Sequence, residues 1–141
     1  MKFTIDPRIL CSSFELGDWP LSSILLKDNV NFPWLILVPR VKAIQEIWQL
    51  SASQRHTLMD ELHAASTIVQ DVFKPNKLNI GSLGNIVSQL HVHVIGRFIN
   101  DDLWPHGVWQ AAQTVVAYPE TTRGQIIDEL RIRVAQAFIL R

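Results

Sequence analysis

The chain has 141 residues, 48% of them hydrophobic and 18% charged, which is enough apolar material for the core of one domain and too much for intrinsic disorder. Thirteen Lys and Arg balance thirteen Asp and Glu, and this zero net charge argues against a nucleic-acid partner while leaving room for a local phosphate pocket. The single cysteine, Cys11, excludes an intrachain disulfide or a cysteine-rich zinc site, and no apolar run approaches the roughly 20 residues of a membrane span.

No repeat, low-complexity tract or linker interrupts the chain, so residues 1–141 read as one domain. The start, Met1 to Arg8, lacks the apolar core and small-residue cleavage site of a signal peptide, and a cytoplasmic setting is expected. Phe3 to Ile9 reads as a short docking segment. Leu10 to Leu16 and Leu21 to Lys27 read as strands of a hairpin, turned at Gly17, Asp18 and Pro20. Asp28-Asn29 supplies turn chemistry before Phe32-Pro33-Trp34-Leu35-Ile36-Leu37-Val38. That continuous apolar run, stopped by Pro39, suits a central strand covered on both faces.

Ile44 to Leu50 is expected to form a short helix. Ser51 and Gln54 have the spacing of a capping box, and a helix from about Ser53 to Val72 follows, with Leu58, Leu62, Ala65, Val69 and Val72 on one face. Pro75 lies just past its end. Lys77 to Ile80 begins another strand, Gly81-Ser82-Leu83-Gly84 turns, and a strand runs from about Ser88 to Phe98. A polar, Trp-containing loop spans Asn100 to Gln110, and Thr121 to Leu140 reads as a closing helix packed through Ile126, Ile127, Leu130, Val134 and Phe138. Antiparallel strands interrupted by one long helix and closed by another make an α+β fold, with the helices on one face of the sheet.

The chemistry concentrates in Gln89-Leu90-His91-Val92-His93-Val94-Ile95. Alternation along a strand sends Leu90, Val92 and Val94 into the core and turns Gln89, His91 and His93 to the opposite, cleft-facing side. Two imidazoles at this spacing suit covalent phosphorus chemistry. One attacks through its unprotonated nitrogen while its other nitrogen donates a hydrogen bond that fixes the tautomer. The second contacts the phosphate or assists the leaving group. Spacing alone leaves a structural pair and a metal half-site open beside catalysis. The metal reading needs a third ligand, and downstream only Asp101, Asp102 and His106 offer themselves, at no familiar spacing.

The segment resembles the signature of the histidine triad family, His-φ-His-φ-His-φ-φ with φ apolar, with Gln89 in place of the first histidine. Gly84-Asn85-Ile86-Val87-Ser88 resembles the family's glycine-containing approach to the motif, and Leu37-Val38-Pro39-Arg40 its strand ending in an apolar-Pro-basic sequence. The likeness runs from about Leu21 to Arg97. It is closest to a bacterial branch with Phe32-Pro33-Trp34 before that strand and Trp104-Pro105 after the motif. The resemblance implies a histidine triad-like fold and a homodimer joined through a continuous sheet. It implies a nucleotide hydrolase or transferase acting on a nucleotide or nucleoside phosphate conjugate, with no cofactor and no metal required.

By the same resemblance His91 is the nucleophile that attacks an α-phosphorus to give a nucleotidyl-histidine, and His93 contacts the phosphate or leaving group. Asn79 and Asn85 hold phosphoryl oxygens, and Asp28 and Asn29 meet the ribose. Gln89 can donate and accept hydrogen bonds but cannot become a cation, and Pro33-Trp34 replaces the Gly-His of many members, so turnover or leaving-group preference is expected to change. A nucleotide-binding protein without catalysis is the alternative, and a metal-binding protein using His91 and His93 a third. Elsewhere, Trp19 is expected to pack its turn, Trp48 its helix, and Trp34, Trp104 and Trp109 the core or a dimer interface. Arg97 is expected to make a structural pair, His56, His63 and His106 to be surface or loop residues, and Cys11 to be buried.

Overall fold

The computed structural model describes residues 2–110 and 114–138. A short helix, α1 (Pro7–Leu10), is set up by Pro7 in its first turn and by the Asp6 carboxylate, which accepts from the Arg8 amide. Leu10 therefore ends a helix rather than opening the expected strand. The first strand, β1 (Ser13–Asp18), pairs antiparallel with β2 (Ser22–Lys27), with a bulge between Glu15 and Gly17. β3 (Trp34–Pro39) is buried along its whole length, as its unbroken apolar run demands.

The expected short helix after β3 is reduced to a single 3₁₀ turn, Ile47–Gln49. The long helix α2 (Ala52–Phe73) starts where the capping box places it, with the Ser51 hydroxyl accepting from the Gln54 amide and the Gln54 side chain accepting from the Ser51 amide. It ends at Lys74 in the left-handed conformation, just before Pro75. β4 (Lys77–Gly81), β5 (Val92–Arg97) and α3 (Glu120–Gln136) complete the chain. The strand expected from Ser88 thus starts four residues later, and Gln89 and His91 lie on its extended approach. α3 stops short of the expected Leu140, which lies outside the described residues.

The five strands form one antiparallel sheet in the order β1-β2-β3-β5-β4, so the α+β architecture is as expected. Strand alternation divides its residues between two cores. Ile24, Leu26, Leu35, Leu37, Val92 and Val94 pack beneath α2 and α3, against Leu58, Leu62, Ala65, Val69, Leu130 and Val134. Each buried Val, Leu or Ile among them contributes about 1.5–3 kcal/mol relative to exposure. Gly96 lets α2 approach, since a Cβ there would stand 3.1 Å from Val69 and 3.2 Å from Pro75. A buried carboxyl lies on this side as well: Glu61 accepts from the Leu21 amide, and burial pushes its pKa up.

The opposite face carries Leu25, Trp34, Ile36, Val38 and Ile95, and among the described residues no long helix covers it. Its cover is Phe3, Ile5 and Ile9 from the N-terminal segment, with Phe32, Leu103 and Val108 from loops. This confirms that Phe3 to Ile9 docks, and it docks on the side to which the histidines point. Among the described residues, no helix is long and apolar enough to cross a membrane.

Candidate active site

Leu90 and Val92 enter the helix-side core, as the alternation requires, and His91 and His93 turn to the other face. Their imidazoles lie edge to face with ring centroids 5.0 Å apart. Both are only 8% exposed, more enclosed than the cleft-facing row expected from the sequence. Each ring has one nitrogen assigned by a neighbour. His91 Nδ1 stands 2.6 Å from the Gln89 carbonyl oxygen, which can only accept, so Nδ1 carries a proton and a neutral His91 has its lone pair on Nε2. His93 Nδ1 accepts from the Trp34 indole N–H at 2.8 Å, so a neutral His93 carries its proton on Nε2. Two chemically identical side chains thus present opposite functions: a bare nitrogen and an N–H donor.

Trp34 reaches this position because β3 and β5 are neighbours in a register that pairs Trp34 with Ile95 and Ile36 with His93. From the far side Trp109 packs edge-on against His93, with centroids 5.8 Å apart. Gly81, paired with His93 across β4 and β5, makes that possible, because a Cβ there would stand 2.9 Å from the Trp109 ring. Enclosure has an electrostatic result. Burial, followed by the charges of His91 and Lys27, pushes the His93 pKa down to about 3, so this ring stays neutral at physiological pH.

Gln89 contributes its backbone to His91 and its side chain to the N-terminal segment. Its Oε1 accepts from the Asp6 amide and its Nε2 donates to the Thr4 carbonyl, both at 2.9 Å. Arg8, paired with Asp6, adds a bond to the Ile86 carbonyl, and the Ser82 hydroxyl donates to the His91 carbonyl. The segment Thr4–Arg8 is therefore a strap fastened to the approach of the histidine motif. A cavity of about 370 Å³ lies between strap and motif, lined in part by Thr4, Asp6, Ser88 and Gln89.

The remaining sequence-predicted residues are scattered more widely. Asn79 shares the sheet face with His93, and its Oδ1 accepts from Arg97, leaving its amide N–H groups as donors. Arg97 itself is held by two bonds to Asp101 and lies between the Phe32 and Trp104 rings, so it is a structural pair, as expected. Asn85 is exposed in the turn before the motif. Asp28 accepts from the Tyr118 amide. Asn29 is buried, with its Oδ1 on the Asn31 amide and its Nδ2 without an acceptor among the described residues. Also among the described residues, no third His, Cys, Asp or Glu joins His91 and His93 in a metal-holding group.

One residue on the histidine face was missed by sequence reasoning. Lys27 pairs with Ser13 at the end of β2, and its ammonium lies 5.7 Å from the centre of the Trp34 ring. Parity along β2 would have found it, because Lys27 must share a face with Leu25. Two packing expectations fail. Trp48 is 77% exposed on its 3₁₀ turn, and Cys11 is exposed at the end of α1.

Residues 12–100 match the model of the HIT (histidine triad) domain, well over half the chain. The chain belongs to the histidine triad family. It is similar to a histidine triad protein of Bradyrhizobium japonicum at 36% identity and TM-score 0.89, covering 95% of this chain and 99% of that one. It is likewise similar to one from Marinobacter aquaeolei VT8, at 35% identity, TM-score 0.91 and coverage of 97% and 99%. A third, from Sinorhizobium meliloti 1021, matches at 33% identity and TM-score 0.87, covering 93% and 96%. No curated protein matches the chain. The family is one of nucleotide-binding proteins with hydrolase and transferase activity. In this histidine triad protein the first motif histidine is Gln89.

Proposed function

We propose that the protein is a nucleotide hydrolase or transferase in which His91 Nε2 attacks an α-phosphorus. The observation that carries this reading is the opposed tautomers of the two histidines. His91 offers a lone pair while its protonated Nδ1 rests on the Gln89 carbonyl, which stabilises the positive charge that builds as the N–P bond forms. As that bond forms, the bond from phosphorus to the leaving group breaks and its electron pair departs with the leaving group. His93 Nε2–H donates to a phosphoryl oxygen, where negative charge accumulates. Water then attacks the nucleotidyl-His91, releasing the nucleotide and restoring the imidazole; a second acceptor in place of water gives transfer.

Neither Gln89 nor His93 supplies a proton readily near neutral pH. Gln89 has no ionisable proton and its amide is engaged by the strap, while burial holds His93 neutral. The site therefore favours leaving groups that depart as stable anions, such as phosphates, over amines that must be protonated. Around the phosphorus, the free N–H groups of Asn79 and the exposed amide of Asn85 are the proposed contacts to phosphoryl oxygens. The orphaned Nδ2 of buried Asn29 and the carboxylate of Asp28 are proposed for the ribose side. The proposed dimer continues the sheet through β4, its edge strand, where Ile80 and the neighbouring Met59 of α2 are exposed.

The enclosure of both histidines favours a second reading, a nucleotide-binding protein without turnover. Incubation with a dinucleoside polyphosphate, quenching without acid and mass spectrometry separate the two. The expected result is a nucleotide adduct on His91 and hydrolysis that falls by at least about 10³-fold in His91→Ala. Binding without adduct or turnover selects the second reading, and equal hydrolysis by both proteins removes His91 from its role.

A further inference from the structure

On the histidine face, side chains from three adjacent strands form a continuous row. His91 lies 5.0 Å from His93 between ring centres, His93 lies 5.4 Å from Trp34, and the Lys27 ammonium lies 5.7 Å from Trp34. Lys27 is half-buried at the far end of this row, and its only hydrogen-bond partner among the described residues is the Ser12 hydroxyl, at 3.2 Å. No carboxylate among the described residues stands within ion-pair distance of it: nearby Asp28 turns its Oδ1 to the Tyr118 amide. A partly desolvated cation held by a neutral hydroxyl and the Trp34 ring, with no carboxylate in ion-pair contact among the described residues, is an arrangement that an incoming anion improves. Two other enclosed cations differ in this respect, since buried Arg97 is neutralised by Asp101 and half-buried Arg40 stands 3.7 Å from Asp18.

We propose that Lys27 forms an anion subsite that selects nucleotides carrying a second phosphate on the ribose, at the opposite end of the row from the phosphorus that faces His91. This rests on the assignment of His91 as the phosphorus-facing nucleophile. Chemical connectivity sets the order along the row: the group bonded next to an α-phosphorus is the ribose, and a phosphate on its 2′ or 3′ hydroxyl extends away from the attacked centre. Trp34 separates the two charges with an apolar plate, so the second phosphate meets the ammonium in a poorly solvated setting where a charge-assisted bond is strong. Ser12 accepts from Lys27 while its own hydroxyl hydrogen is directed to the Arg8 and Ile9 carbonyls, so the ammonium is the charged donor of the subsite.

The test is calorimetric titration of His91→Ala, which cannot turn substrate over, with adenosine 5′-monophosphate, adenosine 2′,5′-bisphosphate and adenosine 3′,5′-bisphosphate. The same titrations are then made with Lys27→Gln and Lys27→Arg in that background. At least one bisphosphate is expected to bind about tenfold or more tightly than the monophosphate, a ratio that shrinks with added salt. Lys27→Gln should bring the ratio close to one, and Lys27→Arg should retain most of it. Melting temperatures of the variants within a few degrees of the parent exclude a folding defect, and the Arg variant, which keeps the charge, separates charge from packing. Monophosphate binding without preference for either bisphosphate, or a preference that survives Lys27→Gln, overturns the subsite while leaving His91 in place. Failure of all three nucleotides to bind overturns the nucleotide reading of the whole site, and the subsite with it.

Discussion

At the scale of single residues, function in this site is assigned by hydrogen bonds more than by residue type. His91 and His93 are the same amino acid on the same face, yet a backbone carbonyl takes the Nδ1 proton of one and an indole N–H occupies Nδ1 of the other, the asymmetry on which the proposed nucleophile and donor rest. The burial that keeps His93 neutral also has a thermodynamic signature. In the unfolded chain His93 takes up a proton near pH 6.5, whereas in the native state it does so only at about 3. Between those values the unfolded state binds more protons, so the stability due to the neutral ring is complete above pH 6.5 and is lost as pH falls toward 3. The loss is on the order of a few kcal/mol at its limit. Urea titrations between pH 7 and 4.5 should show a steeper decline for the wild type than for His93→Gln, whose carbonyl can still accept from Trp34. Parallel profiles would show that His93 is not the group responsible.

At the scale of elements, the site is a product of sheet register. Pairing of β3 with β5 delivers Trp34 to His93, and pairing of β4 with β5 puts Gly81 opposite His93, where Trp109 needs the space. Gly81→Ala should therefore cost about 1–3 kcal/mol by overpacking, and Trp109→Leu in the same chain should recover most of it. An equal loss in the two backgrounds would place the strain in the backbone instead. Much of this layer was legible in the sequence, because the relevant signals are local. The Ser51–Gln54 capping box fixed the start of α2, the unbroken apolar run identified β3 as central, and period-two alternation separated His91 and His93 from Leu90 and Val92. The tautomers were not legible, since the Trp34 bond to His93 joins residues 59 apart and depends on strand order. Nor was the strap, where Gln89 bonds residues 83 and 85 positions away. Trp48 and Cys11 misled for a related reason: hydrophobic character alone does not say which side of a short turn meets the core.

At the scale of the whole molecule, the two faces of the sheet divide the labour. The helix side supplies stability through a conventional apolar core, and the other side holds the candidate site under a cover of strap and loops. The edge strand β4 ends at the histidine site through Gly81, so the proposed sheet-to-sheet dimer would join two sites across one interface. Ile80→Glu, which places a charge on the exposed edge, should weaken self-association by at least about tenfold in sedimentation equilibrium. A wild type that sediments as a monomer at micromolar concentration would remove the dimer from the proposal.

Gln89 faces two ways, its carbonyl on the His91 ring and its amide on the backbone of Thr4 and Asp6. Reciprocity then links events that look unrelated. A ligand that steadies the motif must slow solvent exchange of the Asp6 amide proton, and any modification that peels the N-terminal segment away must weaken that ligand by the same factor. The residue that stands where a third histidine would be expected therefore acts as a reporter. Occupancy of the histidine site can then be read at the backbone proton of Asp6, in a segment remote from it in sequence.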